Sequence, residues 1–145
     1  MIRARQELVL LYMGLLDFSF EERQNDDPSY QCYPSYDQVI EFCDKLIDYV
    51  STGHFELYPK IITLIENASG RSLSIAQRVL PRIESTTEYL MRFNDKYCEN
   101  LNETKMRSLQ KDLEQVCKCM EQRFRNEDRL IVGLRLVHSI VSLAS

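Results

Sequence analysis

The 145-residue sequence contains no tryptophan and only four glycines and four prolines. Because tight turns depend on glycine and proline, this scarcity disfavours a fold of many short strands. Apolar residues make up 44% and charged residues 28% of the chain, as in an ordinary globular protein. A chain of this length fits one domain and can bury a core without a metal or a disulfide. We therefore predict an all-α fold, with one helical-bundle domain spanning residues 1–145.

Disulfide and metal-ligand patterns are also missing. The five cysteines include no C-x-x-C pair, and their odd number argues against a disulfide framework. Cys117 and Cys119 are two residues apart, so on a helix they point to different sides. The only histidines are His54 and His138, and neither belongs to a Glu-x-x-His pair like those of helical di-iron proteins. We predict reduced thiols in a cytoplasmic protein without a metal or other cofactor; a metal-binding helical bundle is the alternative.

Signatures of catalysis, membrane insertion and nucleic-acid binding are absent as well. Without a Gly-rich phosphate loop or a G-x-S-x-G motif, the sequence predicts a protein that is not an enzyme. The apolar run over residues 131–143 is too short to span a bilayer, and the N-terminal stretch lacks a secretory cleavage site. Residues 103–129 contain seven basic and six acidic residues, which is not the basic face that direct nucleic-acid binding needs.

Acidic residues concentrate between Asp17 and Asp48, where nine carboxylates are opposed only by Arg23 and Lys45. Such a segment repels nucleic acid and attracts basic partners. A solvated loop and helix face is the alternative, and it is the commoner meaning of a charge run.

Apolar residues recur in steps of three and four along most of the chain, which predicts an antiparallel bundle of helices. The expected helices cover residues 2–17, 35–53, 55–67, 72–99 and 102–144, with a long polar connector over 18–34. Ser35 and Gln38 form a capping-box pattern at the start of the second helix. Gly53 and Gly70 are expected to end the second and third helices. Pro81 should kink or divide the fourth, because proline lacks the donor for the helical ladder.

The last helix carries a regular stripe that polar residues interrupt. Its members are Leu109, Leu113, Val116, Met120, Phe124, Glu127, Ile131, Leu134, His138 and Val141. A carboxylate such as that of Glu127 is costly to bury unless it is hydrogen-bonded or paired, and Arg123 or Arg129 is a candidate partner. We predict that Glu127 is a satisfied polar residue inside the bundle.

Carboxylates and aromatic residues lie together around the end of the second helix. Asp44 and Asp48 are one turn apart, and Phe55 and Tyr58 follow after Gly53. This combination suits a basic helical partner, because aromatic residues supply contact area and carboxylates supply steering. From the residues alone, an aromatic core beside solvated acids is the favoured interpretation.

The same segment carries a family resemblance. Residues 42–58, FCDKLIDYVSTGHFELY, resemble the F-C-x-x-L-V-D-Y-x-S-A-G-H-F-x-x-Y pattern of the Rsd/AlgQ family of anti-sigma factors, with departures at Ile47 and Thr52. Residues 80–84, LPRIE, are similar to the family's Y/W-P-x-L-E. Residues 123–131, RFRNEDRLI, match its R-F-x-x-E-D-x-L-I. The family's first helix also carries a D-R-W-L element near the position that Met1 occupies here, and this sequence, which contains no tryptophan, has no counterpart to it.

The resemblance implies a helical bundle that binds the C-terminal, promoter-reading domain of the bacterial primary sigma factor. Binding would withhold that domain from core RNA polymerase and promoter DNA and would favour alternative sigma factors. The phosphocarrier protein of the sugar phosphotransferase system is an alternative partner. The candidate partner-binding residues are Glu41, Asp44, Asp48, His54, Phe55 and Tyr58. Buried polar or structural roles are assigned to Glu127, Arg123, Asp128, Pro81 and Glu84.

Overall fold

The computed structural model describes the backbone of residues 2–23, 33–66 and 70–144, and the side chains of residues 2–16, 33–66, 70 and 73–133. The elements are α1 (Ile2–Arg23), α2 (Tyr36–Thr52), a π-helical turn (Gly53–Leu57), α3 (Tyr58–Glu66), α4 (Gly70–Tyr97) and α5 (Glu103–Ala144). No strand occurs in these ranges, and the predicted all-α helical bundle is confirmed. The antiparallel arrangement, the kink at Pro81 and the single domain stay predictions.

One compact unit comprises Met1–Tyr49 and Met91–Gln115. Aromatic rings form the middle of its core: the Phe42 ring centroid lies 6.1 Å from that of Tyr12 and 6.0 Å from that of Phe93. The Tyr12 hydroxyl donates a hydrogen bond of 3.0 Å to the carbonyl of Leu113, so its one polar atom is satisfied within the core. The apolar residues buried in this unit include Leu8, Leu15, Val39, Leu46, Tyr97, Met106 and Leu109.

The other compact unit comprises Val50–Leu90 and Val116–Ser145. Side chains from α3, α4 and α5 form its core, namely Tyr58, Ile65, Ala76, Val79, Ile83 and Leu130. This unit also holds the polar cluster described below, because Arg123 and Glu127 lie on the buried face of α5.

Two predicted helix starts are present as hydrogen-bonded caps. Ser35 Oγ accepts from the Gln38 backbone N–H at 3.2 Å, and Gln38 Oε1 accepts from the Ser35 N–H at 3.0 Å, which confirms the capping box. Asn102 Oδ1 accepts from the Lys105 N–H at 2.8 Å at the start of α5. In the turn between α4 and α5, Asn100 has a φ of 55°, a left-handed conformation that asparagine tolerates better than most residues.

The predicted connector begins too early and must be corrected. Helix α1 continues to Arg23, so residues 18–23 are helical rather than loop. They contain neither glycine nor proline, and Glu21, Glu22 and Arg23 are good helix formers, so nothing local ends the helix at Asp17. The connector residues 24–32 lie outside the described ranges.

Gly53 does not end a helix in the left-handed conformation, and this prediction is wrong. No glycine described has a positive φ, and the chain continues from α2 through the π-helical turn into α3. The Tyr58 N–H donates to the Gly53 carbonyl, five residues back. Pro59 follows and has no N–H to donate to a helical hydrogen bond. The π-helical turn therefore lies where proline interrupts the regular α-helical hydrogen bonds.

Gly70 is likewise the first residue of α4 rather than a stop for α3, which ends at Glu66. Helix α4 runs without interruption through Pro81, so the alternative in which proline divides the helix is excluded.

The stripe predicted on α5 holds from Leu109 to Met120 and again at Glu127, but it fails at Phe124 and Ile131. Arg123 and Leu130 are buried, whereas Phe124 and Ile131 are partly exposed. A step of three residues is as compatible with the helical period as a step of four, and apolarity alone favours Phe124 over its charged neighbour. The side chains of Leu134, His138 and Val141 lie outside the described ranges.

Candidate functional site

The exposed face of α2 carries a stripe of carboxylates. Asp37, Glu41, Asp44 and Asp48 follow one another at spacings of four, three and four residues, and all four are exposed. The opposite face supplies the buried residues Val39, Phe42, Cys43, Leu46, Tyr49 and Val50. Asp37 was not among the predicted partner-binding residues, although its four-residue spacing to Glu41 could have indicated it. We call these four residues the acidic stripe.

None of the described cations neutralises the acidic stripe. Within the described ranges, no lysine or arginine forms an ion pair with Glu41, Asp44 or Asp48. The one basic residue in the middle of α2, Lys45, instead lies 3.4 Å from Glu7 of α1. Like charges one turn apart destabilise a helix by about 0.2–0.5 kcal/mol per pair, so the stripe weakens α2 rather than supporting it. Asp37 differs from the others, because an acid in the first turn of a helix interacts favourably with the macrodipole.

The π-helical turn presents two ring side chains to solvent. His54 and Phe55 are both exposed, and their ring centroids lie 4.8 Å apart in an edge-to-face arrangement. Phe55 is 74% exposed, more than any other large hydrophobic residue among the described side chains. An exposed phenylalanine of this kind is suited to act as an anchor in a protein interface.

Tyr58 lies in the core and not on the surface. It is 4% exposed, and its hydroxyl donates a hydrogen bond of 2.6 Å to Glu127 Oε1. Tyr58 was predicted together with Phe55 because both are aromatic and lie three residues apart. The intervening π turn and α3 place one ring in solvent and the other against α5.

A buried arginine completes the polar cluster around Tyr58. Arg123 is fully buried, and its Nε lies 3.3 Å from Glu127 Oε1. Its Nη1 donates to Thr87 Oγ1 at 2.6 Å and to Thr86 Oγ1 at 3.3 Å. Its guanidinium also lies over the Tyr58 ring, 5.3 Å from the centroid. The buried carboxylate of Glu127 is therefore both paired with a cation and hydrogen-bonded, as burial requires.

Gly53 belongs to the same cluster because Tyr58 and Arg123 occupy the space that a side chain at this position would need. A Cβ atom at this position would lie 2.8 Å from Tyr58 Oη and 3.2 Å from Arg123 Nη2. The close approach, and not a special backbone angle, makes glycine necessary here. Ile83, from the LPRIE segment, contributes its carbonyl 3.5 Å from Arg123 Nη1. The three segments that carry the family resemblance therefore meet in one buried cluster.

The remaining residues grouped with Glu127 in the sequence analysis are at the surface. Glu84 and Asp128 are exposed, and Pro81 is an exposed residue within α4. Charged residues next to a buried motif position face outward because successive helical residues point about 100° apart.

Metal binding, membrane insertion and thiol reactivity were also considered for the described residues. These residues contain no group of three His, Cys, Asp or Glu side chains placed to hold a metal ion. None of the helices searched there is long and apolar enough to cross a membrane. Burial raises the pKa of the Cys43 thiol to about 12, so this thiol stays protonated and unreactive at neutral pH.

Comparisons with known proteins agree with the motif positions. Residues 1–135 match the family model described as regulator of RNA polymerase sigma(70) subunit, Rsd/AlgQ. Relatives called "Regulator of sigma D" occur in Yersinia enterocolitica, 29% identical over 132 residues, and in Shigella boydii, 27% identical over 134 residues. The alignments cover 90% of this chain and 75% and 78% of those relatives, respectively. No solved structure matches the chain.

The match to the family model covers nearly the whole chain, and it includes every residue of the buried cluster. The protein is thus a helical regulator of transcription. It belongs to the Rsd/AlgQ family, the regulators of the sigma(70) subunit of RNA polymerase.

Proposed function

We propose that this protein is an anti-sigma factor that binds the C-terminal, promoter-reading domain of the primary sigma factor. Binding withholds that domain from core RNA polymerase and from promoter DNA, and it favours alternative sigma factors. The uncompensated acidic stripe on α2 is the observation that carries the proposal. In this role the protein acts by stoichiometric binding and not as an enzyme, and it works in the cytoplasm, where RNA polymerase works.

The charge of the stripe fits such a partner. A domain that reads promoter DNA contacts phosphates, so it carries a basic surface. Carboxylates without local counter-ions attract that surface, accelerate the encounter and compete with DNA for the same residues. The acidic stripe destabilises α2, and we propose that its contribution to sigma binding offsets this cost.

Phe55 supplies the second contact of the proposed interface, with His54 beside it. Apolar anchors contribute most of the free energy in protein interfaces, whereas charges at the rim mainly set the association rate. Tyr58 is left out of the contact set, because it is buried and its hydroxyl is engaged with Glu127. Tyr58 instead packs in the core formed by α3, α4 and α5, next to the π-helical turn.

The test is a titration of the protein with the purified C-terminal domain of the primary sigma factor. We expect a one-to-one complex with a dissociation constant at or below tens of micromolar, or about −6 to −7 kcal/mol. Its affinity should fall as salt rises from about 0.05 to 0.5 M, because the ion pairs are exposed. The Asp44→Asn/Asp48→Asn variant should bind about tenfold more weakly, mainly through slower association.

Matched controls separate the site from general charge and hydrophobicity. Asp95→Asn removes an exposed carboxylate from α4 and should leave the affinity unchanged. Phe55→Ala should weaken binding by more than about 1 kcal/mol, whereas Leu64→Ala, which truncates a 54%-exposed residue of α3, should not. Equal losses in the Asp44→Asn/Asp48→Asn and Asp95→Asn variants would refute a specific role for the stripe.

The phosphocarrier protein of the sugar phosphotransferase system is the alternative partner. A pull-down from a bacterial lysate discriminates between the two, since it recovers either the primary sigma factor or the phosphocarrier. Recovery of the phosphocarrier without sigma, together with no complex in the titration, would replace the proposal.

A further inference from the structure

A groove between α4 and α5 collects positive charge that the proposed sigma interaction does not use. It has a volume of about 330 Å³. Its basic lining residues are Arg82 of α4 and Lys118, Arg125 and Arg129 of α5. Glu121 is the one acidic residue in the lining, so the local net charge is +3 in a chain whose net charge is −4. We call these four basic residues and the space between them the basic groove.

Two other exposed cations of the same helices are paired with carboxylates, unlike those of the basic groove. Arg107 lies 3.1 Å from Glu103, and Lys96 lies 2.7 Å from Asp112. Within the described ranges, Arg82, Lys118 and Arg125 form no ion pair with any carboxylate, although Glu121 shares the groove. Side chains that are not paired locally leave their charge available to a ligand.

One of the arginines is held in place from below. Arg129 Nη1 donates to Asn126 Oδ1 at 3.3 Å, and Asn126 is 2% exposed. Lys118, Arg125 and Arg129 are separated by seven and four residues, which places them on one face of α5. Helical backbones fix these side chains more firmly than loops would, and this lowers the entropy lost when they bind a common ligand.

We propose that the basic groove binds a small, multiply charged anion of the pyrophosphate or oligophosphate class. The planar guanidinium fork matches phosphate oxygens with two parallel hydrogen bonds, and three arginines can surround adjacent phosphoryl groups. The volume lies at the lower end of small-molecule sites, which span about 300–1,000 Å³.

The lining argues against larger ligands. It contains no aromatic side chain, so a nucleobase finds no ring to stack on. The charges are also confined to one groove, whereas nucleic-acid binding needs a basic face that extends along the backbone of the ligand. An acidic peptide is also negatively charged, but its charged oxygen atoms are farther apart than those of pyrophosphate. Binding of an acidic peptide is the alternative that the experiment tests.

The experiment is a calorimetric titration of the full chain with pyrophosphate and tripolyphosphate at low salt, followed by amide chemical shifts. We expect binding that is tighter for these anions than for orthophosphate or sulfate. Shifts should concentrate at residues 82, 118, 125, 126 and 129. The Arg82→Gln/Arg125→Gln variant should bind pyrophosphate about a hundredfold more weakly, because it removes two charged partners and each charge-assisted hydrogen bond contributes about tenfold.

A matched variant decides between a site and general attraction. Arg78→Gln/Lys111→Gln removes the same two charges from exposed positions of α4 and α5 outside the groove, so its affinity should stay within about twofold of the wild type. All four substituted residues are exposed, and an unchanged thermal midpoint shows that each variant is folded. Equal weakening in the two variants, or no binding at about 10 mM pyrophosphate, would overturn the proposal. So would hexaglutamate binding that depends on the groove more strongly than pyrophosphate binding does.

Discussion

The hydroxyl of Tyr58 donates a 2.6 Å hydrogen bond to Glu127 Oε1, and the same carboxylate oxygen lies 3.3 Å from Arg123 Nε. A hydrogen bond from a phenol and an ion pair with a guanidinium thus meet at one carboxylate oxygen, in a core where all three residues are at most 4% exposed. Both interactions offset the cost of burying the Glu127 carboxylate, so the three residues act as a unit.

Removing the Tyr58 hydroxyl tests this unit. The Tyr58→Phe substitution keeps the ring but takes a hydrogen-bond donor from a buried carboxylate, and we expect the free energy of unfolding to fall by about 1–3 kcal/mol. Urea denaturation measures the change. Tyr36→Phe is the control: Tyr36 is 47% exposed, so its effect should stay within about 0.5 kcal/mol. Equal effects of the two substitutions would mean that the buried hydrogen bond contributes nothing to stability.

The lack of space at Gly53 gives a second prediction, in which two glycine-to-alanine substitutions have opposite signs. At Gly53 a Cβ would lie 2.8 Å from Tyr58 Oη, so alanine should destabilise the protein by about 1–3 kcal/mol. At Gly14, within α1, nothing lies within 4 Å of the added Cβ, so alanine should stabilise by about 0.5–1 kcal/mol. Thermal unfolding of both variants checks this, and stabilisation by Gly53→Ala would contradict the close approach.

The acidic stripe predicts that stability and binding change in opposite directions. Replacing Asp44 and Asp48 with asparagine removes two repulsive spacings, so unfolding should cost about 0.4–1 kcal/mol more while sigma binding weakens. The stability gain should disappear near 1 M salt, where the screening length is about 3 Å. A loss of stability in the same variant would show instead that the carboxylates make stabilising contacts within the fold.

Asp112 predicts a dependence on acidity. Burial acts to raise its pKa, but hydrogen bonds from Lys96 and Tyr97 outweigh burial and lower the pKa below the ordinary value of 3.8. Because the folded-state pKa is the lower one, the carboxylate stabilises the fold above the unfolded-state pKa. This contribution is lost as the pH falls through the folded-state value. Burial raises the pKa of Tyr97 to about 12, so its hydroxyl remains a donor throughout this range.

The Asp112→Asn variant measures this contribution. Since the ion pair with Lys96 is partly exposed, we expect the variant to be less stable by about 0.5–1 kcal/mol at neutral pH. The difference should shrink as the pH falls through the folded-state pKa of Asp112, because below it the wild-type carboxylate is protonated as well. Asp95→Asn, at an exposed position of α4, is the control and should change the stability at neutral pH by less than about 0.5 kcal/mol. A difference that stayed constant with pH would rule out the charge of Asp112 as its cause.

Local signals predicted the fold best where a single short-range rule decides the structure. Ser35 and Gln38 form the predicted capping box because both partners are three residues apart on one turn. Gly53 was misread because glycine has two uses, and only the tertiary contact with Tyr58 shows that lack of space decides here. Arg123 was predicted as a buried polar residue and a partner of Glu127, but the periodicity placed Phe124 on the buried face, since no periodicity rule favours a charge over an aromatic neighbour.

The candidate site was only partly predictable for the same reason. Exposed carboxylates on α2 follow from helical spacing, which is a local property. The separation of Phe55 from Tyr58 depends on the π-helical turn, and the basic groove depends on α4 packing beside α5. Both features arise from contacts between residues far apart in sequence, and the residue pattern within a single helix does not predict such contacts.

The turn between α4 and α5 also bears on the order in which its unit folds. The Lys96–Asp112 contact that closes this turn spans 16 residues, whereas the hydrogen bond from Tyr12 to Leu113 spans 101. Bringing the ends of the longer segment together costs roughly 1.5 kcal/mol more chain entropy. We expect amides near Lys96 and Asp112 to gain protection from hydrogen exchange before those near Tyr12 during refolding. The turn that contains the left-handed Asn100 would thus form before the contact between α1 and α5.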